Sequence, residues 1–172
     1  MKLRSERDEA PATADGLVLE VTAAPEALAA DPEVEAFVAT AIETADEIAG
    51  PAQGMIAVVV DGDDRIRALN RQWRGIDKAT NVLSFCYPDG PAGVPRYVGD
   101  IAISYETAAA EAAAEGKPFA HHMKHLAVHG FLHVLGYDHE SDEDADAMER
   151  LERTILARLG VPDPYLARDA EG

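Results

Sequence analysis

HLAVHGFLHVLGYDH, residues 125–139, holds four of the six histidines in the chain. Leu126, Val128, Phe131, Leu132, Val134 and Leu135 run between them. An apolar run of this density predicts a helix buried at the centre of a domain, where an imidazole is costly unless its nitrogens are engaged. His129 and His133 are four residues apart, which on a helix is about 40° of rotation and one turn of rise, so both rings aim at one point. His125 sits one turn earlier on the same face. Gly136 follows three residues after His133, where a glycine in the left-handed conformation can end a helix. The chain then brings His139 back beside the first two rings.

This pattern, H-x3-H-x5-H with a glycine in the gap, suits a single metal ion, and three neutral imidazoles suit zinc. His129, His133 and His139 are therefore the expected ligands of one zinc ion per chain. His125 either supports them from behind or packs the helix. His121 and His122, in the polar first turn, are expected at the surface. The one cysteine, Cys86, excludes a thiolate cluster and any intramolecular disulfide, which fits a reducing cytoplasm. Three histidines without a thiolate leave a coordination position open to water, whose pKa on zinc is about 7. The alternative is a structural site completed by a distant carboxylate. The spacing also matches the metzincin protease motif, H-E-x-x-H-x-x-G-x-x-H. The glutamate that serves those enzymes as general base is replaced here by Gly130, which disfavours a peptidase of that mechanism.

Outward from the histidines, the rest of the chain reads as one domain. Its 172 residues, 47% of them apolar, are enough for a single folded core. Residues 1–16 read as a disordered tail with no signal-peptide core, residues 17–165 as the domain, and residues 166–172 as a C-terminal tail. No stretch approaches the roughly 18 apolar residues of a membrane span. GLVLEVTA (16–23), MIAVVVD (55–61), NVLSFCYPDG (81–90) and RYVGDIAIS (96–104) read as strands. A helix follows Asp31 as N-cap and Pro32 at its first position, and ends by Gly50. DDRIRALNRQWRG (63–75) reads as an amphipathic helix. Ser104 caps an alanine-rich helix that stops at Gly116, and Pro118 opens the histidine helix. Ser141 with Asp144 starts a last helix, with Met148, Leu151, Ile155 and Leu159 as its apolar stripe. This order predicts an α+β (or α/β) domain: a mixed four-stranded sheet packed with helices around a central metal-binding helix.

The net charge is −17, but it is unevenly spread. Between Arg65 and Arg96 six basic residues face two acidic ones, a segment of +4 on a body of −21. Arg74 and Lys78 fall at a helix end and in the loop after it, with Arg71 one turn back. A guanidinium offers phosphate a planar fork of permanent donors. Zinc-activated water beside such an arginine reads as phosphodiester hydrolysis. With Gly130 lacking a carboxylate, the general base is left to that water. Asp100 is a second candidate; its other reading is to cap or orient a strand end.

HGFLHVLGYDH resembles the signature of the YbeY family of bacterial rRNA-maturation endoribonucleases. LNRQWRGIDKATNVLSF and VGDIAIS are similar to that family's other two motifs, in the same order. The resemblance covers roughly residues 55–165. It implies a zinc-dependent, single-strand-specific endoribonuclease that matures the 3′ end of small-subunit rRNA and serves ribosome quality control. It also implies small-subunit proteins and a ribosome-assembly GTPase as partners, and no membrane. By position it makes His129, His133 and His139 the zinc ligands and Arg74 the essential arginine at the RNA backbone, with Arg71 and Lys78 as further substrate contacts. Ala79 and Cys86 stand where the family usually has proline. Two other functions fit the residues: a ribosome-assembly binding factor with structural zinc, or a zinc hydrolase acting on another substrate.

Overall fold

A computed structural model describes residues 16–87 and 97–166. Its strands are β1 (Leu17–Ala23), β2 (Gly54–Asp61), β3 (Val82–Cys86) and β4 (Tyr97–Ser104). Its helices are α1 (Pro25–Ala30), α2 (Val34–Ala49), α3 (Asp63–Arg74), α4 (Tyr105–Glu115), α5 (Phe119–Val134) and α6 (Asp142–Arg158). The expected tail over residues 1–16 lies outside the described residues except for Gly16, as do residues 167–172 and the turn at 88–96. No helix among the described residues is long and apolar enough to cross a membrane.

The four strands form one sheet in the order β1-β2-β4-β3. β1, β2 and β4 run parallel, and β3 is antiparallel to β4 at the edge. The mixed sheet of the α+β reading is therefore observed. β2 and β4 are apolar on both faces because helices cover both. On one face α3 seats Ile66 and Leu69 against Leu83 and Ala102. On the other lies α5, bordered by α2, α4 and α6. Phe131, Leu132 and Met123 of α5 are fully enclosed there. Each such side chain contributes about 1.5–3 kcal/mol by leaving water.

The helix expected from Asp31 is α2, which starts two residues later than expected, and a short helix, α1, precedes it. Asp31 precedes a proline, which holds it extended at φ −151° and ψ 111°, so it ends α1. Its Oδ1 accepts the Glu33 N–H at 2.9 Å, and α2 begins at Val34. Ser141 caps α6 as expected, its Oγ accepting the Asp144 N–H at 3.1 Å.

Two glycines let α5 lie close on the sheet. A Cβ at Gly130 would stand 2.9 Å from Ile101 Cγ2 and 3.2 Å from Ser84 Oγ. A Cβ at Gly99 would stand 2.5 Å from the Phe85 carbonyl oxygen and 2.7 Å from Val134 Cγ1. The carbonyl belongs to the paired strand and cannot rotate away. Gly99→Ala should therefore lower stability by about 1–3 kcal/mol, read as a fall in the urea midpoint at unchanged slope.

Candidate metal centre and basic cleft

α5 carries His125, His129 and His133 along one face, one turn apart. The helix ends just after His133 because Gly136 takes φ 105°. The Tyr137 N–H turns back to the Leu132 carbonyl at 3.1 Å, and the Gly136 N–H to that of His133 at 3.0 Å. Past this turn His139 swings back. Its Nε2 lies 3.0 Å from His133 Nε2, which lies 3.0 Å from His129 Nε2. The His129 and His139 rings stack at 5.1 Å, with His133 edge-on to both.

These nitrogens fit a cation better than they fit one another. His129 Nδ1 meets the Glu152 carboxylate at 2.6 Å, so in the neutral ring the proton sits there and Nε2 is left as a bare lone pair. When the His133 ring carries its own proton on Nδ1, its Nε2 is likewise bare toward the other two rings. Two lone pairs then face each other, an arrangement a metal ion resolves. Burial, and next the His129 and His139 rings, hold His133 below the usual imidazole value. Among the described residues, His129, His133 and His139 are the group of donors placed to hold a metal.

Glu152 is the residue that sequence reasoning missed. It is fully buried and accepts from His129, from His125 Nε2 at 3.1 Å, and from the Tyr165 hydroxyl. Burial pushes its pKa up, but the hydrogen bonds from His125, His129 and Tyr165 outweigh burial and hold it well below the carboxylate range. A signal existed: on α6, Glu152 falls four residues after Met148 and three before Ile155, in the middle of the buried stripe. His125 is thus one bond removed from His129 through Glu152. His122, expected at the surface, is buried against α4, with Nε2 3.2 Å from Glu111.

Beside the histidines lies a cleft of about 370 Å³. Its walls include Arg74, Asn81, Ser84, His129, His133 and Asp138. Arg74 ends α3 on the far side of the sheet and reaches round the β3 edge. Its Nη2 donates to the outward-facing Ser84 carbonyl at 2.7 Å, and its guanidinium lies 5.1 Å over the Phe85 ring. Arg71 and Lys78 are exposed but do not line the cleft. Arg67 is committed to Asp77 at 2.8 Å. Arg96 and Asp89 of the basic segment lie outside the described residues. Gly130 is pressed against the sheet, where even a Cβ would crowd Ile101, Ser84 and Val82, so the position has no room for the glutamate of the metzincin motif.

Asp100 does not join the histidines. Gly99 and Ile101 face α5, so the pleat turns Asp100 to the α3 face, alongside its cross-strand partner Phe85. There it is fully buried and accepts from the hydroxyls of Tyr87 and Tyr97. Its position matches the other reading of this residue, that it orients strand ends: Tyr87 follows β3 and Tyr97 opens β4. Burial, and then Asp100, raise both phenols well above the usual tyrosine value. The folded chain keeps these protons where the unfolded chain loses them, so their stabilisation is complete below pH ~10 and is lost as pH rises beyond it. The urea midpoint should fall more steeply between pH 9 and about 11 in the wild type than in Tyr87→Phe.

The family profile described as Endoribonuclease YbeY matches residues 21–160. A protein of Rhodopseudomonas palustris (strain BisB18) named Endoribonuclease YbeY is 56% identical over 146 residues, which cover 81% of this chain and 87% of the relative. A protein of the same name from Nitrobacter hamburgensis is 52% identical over 159 residues, 87% of this chain and 83% of the relative. The solution structure of TM1509 from Thermotoga maritima shares the fold with a TM-score of 0.54 at 21% identity, covering 83% of this chain and 91% of that one. With a profile match that takes in β2, β3 and β4, the cleft arginine and all three converging histidines, the chain belongs to the YbeY family of endoribonucleases.

Proposed function

We propose that this endoribonuclease is zinc-dependent and specific for single-stranded RNA, with His129, His133 and His139 holding one zinc ion. The observation that carries this reading is the cleft, whose lining brings Arg74 together with His129 and His133 of the three-imidazole group. Zinc bound there supplies charge stabilisation and an activated water. Arg74 grips the scissile phosphate and offsets the negative charge that grows on it. Arg71 and Lys78, exposed outside the cleft, hold neighbouring phosphates. An unpaired strand can lay one phosphate in a cleft of this size while its bases turn outward. Among the described residues no fourth histidine, cysteine or carboxylate joins the three rings, which favours an open catalytic site over a structural one.

The cellular reading is maturation of the 3′ end of small-subunit rRNA and ribosome quality control in the cytoplasm, alongside small-subunit proteins and a ribosome-assembly GTPase. Family membership supports it. The test uses end-labelled single- and double-stranded RNA, with casein as control. Zinc-loaded protein should cut the single strand, chelator-stripped protein should not, and added zinc should restore cutting. In bacteria depleted of their own YbeY protein, this chain should remove the 3′-extended small-subunit precursor. A fully zinc-loaded protein inert on RNA would end the proposal.

A further inference from the structure

The buried carboxylate behind His129 has a structural partner that the family match does not include. The matched residues end at 160, and Tyr165 lies beyond them. After α6 the chain turns at Gly160, φ 74°, and Val161 returns its N–H to the Leu156 carbonyl at 2.8 Å. Asp163 accepts from the Tyr165 N–H at 2.8 Å and pairs with Arg153 at 3.1 Å. Arg153 lies 5.4 Å over the Tyr165 ring. So braced, the phenol reaches Glu152 at the centre of the domain.

We infer that Glu152, held in place by Tyr165, is the positioning residue of the metal site, and that residues 161–166 thereby set its affinity for zinc. This rests on the reading that the three histidines bind zinc. An ionised carboxylate only accepts hydrogen bonds, so every neighbour of Glu152 must present a proton to it. For His129 this fixes the proton on Nδ1 and keeps Nε2 bare. The competing tautomer carries the proton on Nε2. From there it donates to His133 Nε2, 3.0 Å away, and closes the site against a cation. Glu152 selects against that state, and it also fixes the ring's rotation. The carboxylate can stay ionised without solvent only because three donors surround it, and two of them lie outside the metal set. Removing the phenol leaves one acceptor site empty and lets the carboxylate turn. A glutamine keeps the shape of Glu152 but sets its amide N–H against donors, so it no longer dictates the tautomer.

The test measures zinc affinity by chelator competition in full-length wild type, Glu152→Gln and Tyr165→Phe, with the melting of each metal-free protein recorded alongside. Glu152→Gln should bind zinc about 10- to 100-fold more weakly. Tyr165→Phe should lose about tenfold. In metal-free protein, imidazole 15N spectra should place the His129 proton on Nδ1 in the wild type, and on both nitrogens in Glu152→Gln. A folded Glu152→Gln with wild-type zinc affinity, or with an unchanged His129 tautomer, overturns the inference. Should Glu152→Gln fail to fold, Tyr165→Phe decides it: wild-type affinity there overturns it as well. A wild type that binds zinc and cuts no RNA would sink the nuclease reading and leave this inference standing. A wild type that cuts RNA while both variants bind zinc normally would do the reverse.

Discussion

Replacing His133 with alanine should remove zinc and RNA cleavage together. His133 is the middle donor, with Nε2 3.0 Å from both other histidines, so its loss leaves two nitrogens on opposite sides of a gap. Two imidazoles hold zinc far more weakly than three. After dialysis the metal content should fall from one ion per chain to background. The cleavage rate should fall by at least about a thousandfold, since several kcal/mol of charge stabilisation leave with the ion. The ring is only half-buried and sits in the last turn of α5, so the fold should survive and circular dichroism should match the wild type. Stoichiometric zinc in the His133→Ala protein would show that the ion is held elsewhere.

Reversing the charge at Arg74 should separate metal from activity. Arg74→Glu keeps all three histidines and should keep zinc at one ion per chain. It places a carboxylate where the cleft needs a cation, and the rate on single-stranded RNA should fall by about a hundredfold or more. The side chain also bonds the Ser84 carbonyl and covers Phe85, so part of the loss could come from a displaced β3. Arg74→Gln, which retains a donor for Ser84, distinguishes the two causes. A rate that recovers in Arg74→Gln indicates a role in bracing the strand, whereas one that stays low indicates phosphate binding. Full activity in Arg74→Glu would remove the arginine from the reaction.

Much of this arrangement was legible because it repeats with helical or strand period. The four-residue step between His129 and His133, and the glycine that returns His139, predict three rings at one point without any knowledge of the sheet. The four strands show as apolar runs between turns. What stayed hidden depended on which face a side chain takes. β4 is covered on both sides, so VGDIAIS has no polar alternation to show that Asp100 turns from α5 while Gly99 and Ile101 turn toward it. Arg71 and Arg74 are alike on α3, one turn apart. Only the edge position of β3 tells which of them reaches the cleft. Glu152 is separated from His129 by 23 residues, and pairing the two requires the crossing of α6 over α5. His122 looked solvated because the cover that α4 provides cannot be seen from the histidine helix alone.

The seating of α5 on Gly130 and Gly99 has a further consequence. With backbone and methyl groups already in contact, the helix has no room to slide or sink, so the histidines keep a fixed height over the sheet. Relatives that handle bulkier or differently shaped strands would have to change the opposite jaw, through the length and stiffness of the 75–81 loop. Directed evolution for altered RNA preference belongs in that loop, while libraries built on the histidine helix should yield mostly unfolded protein.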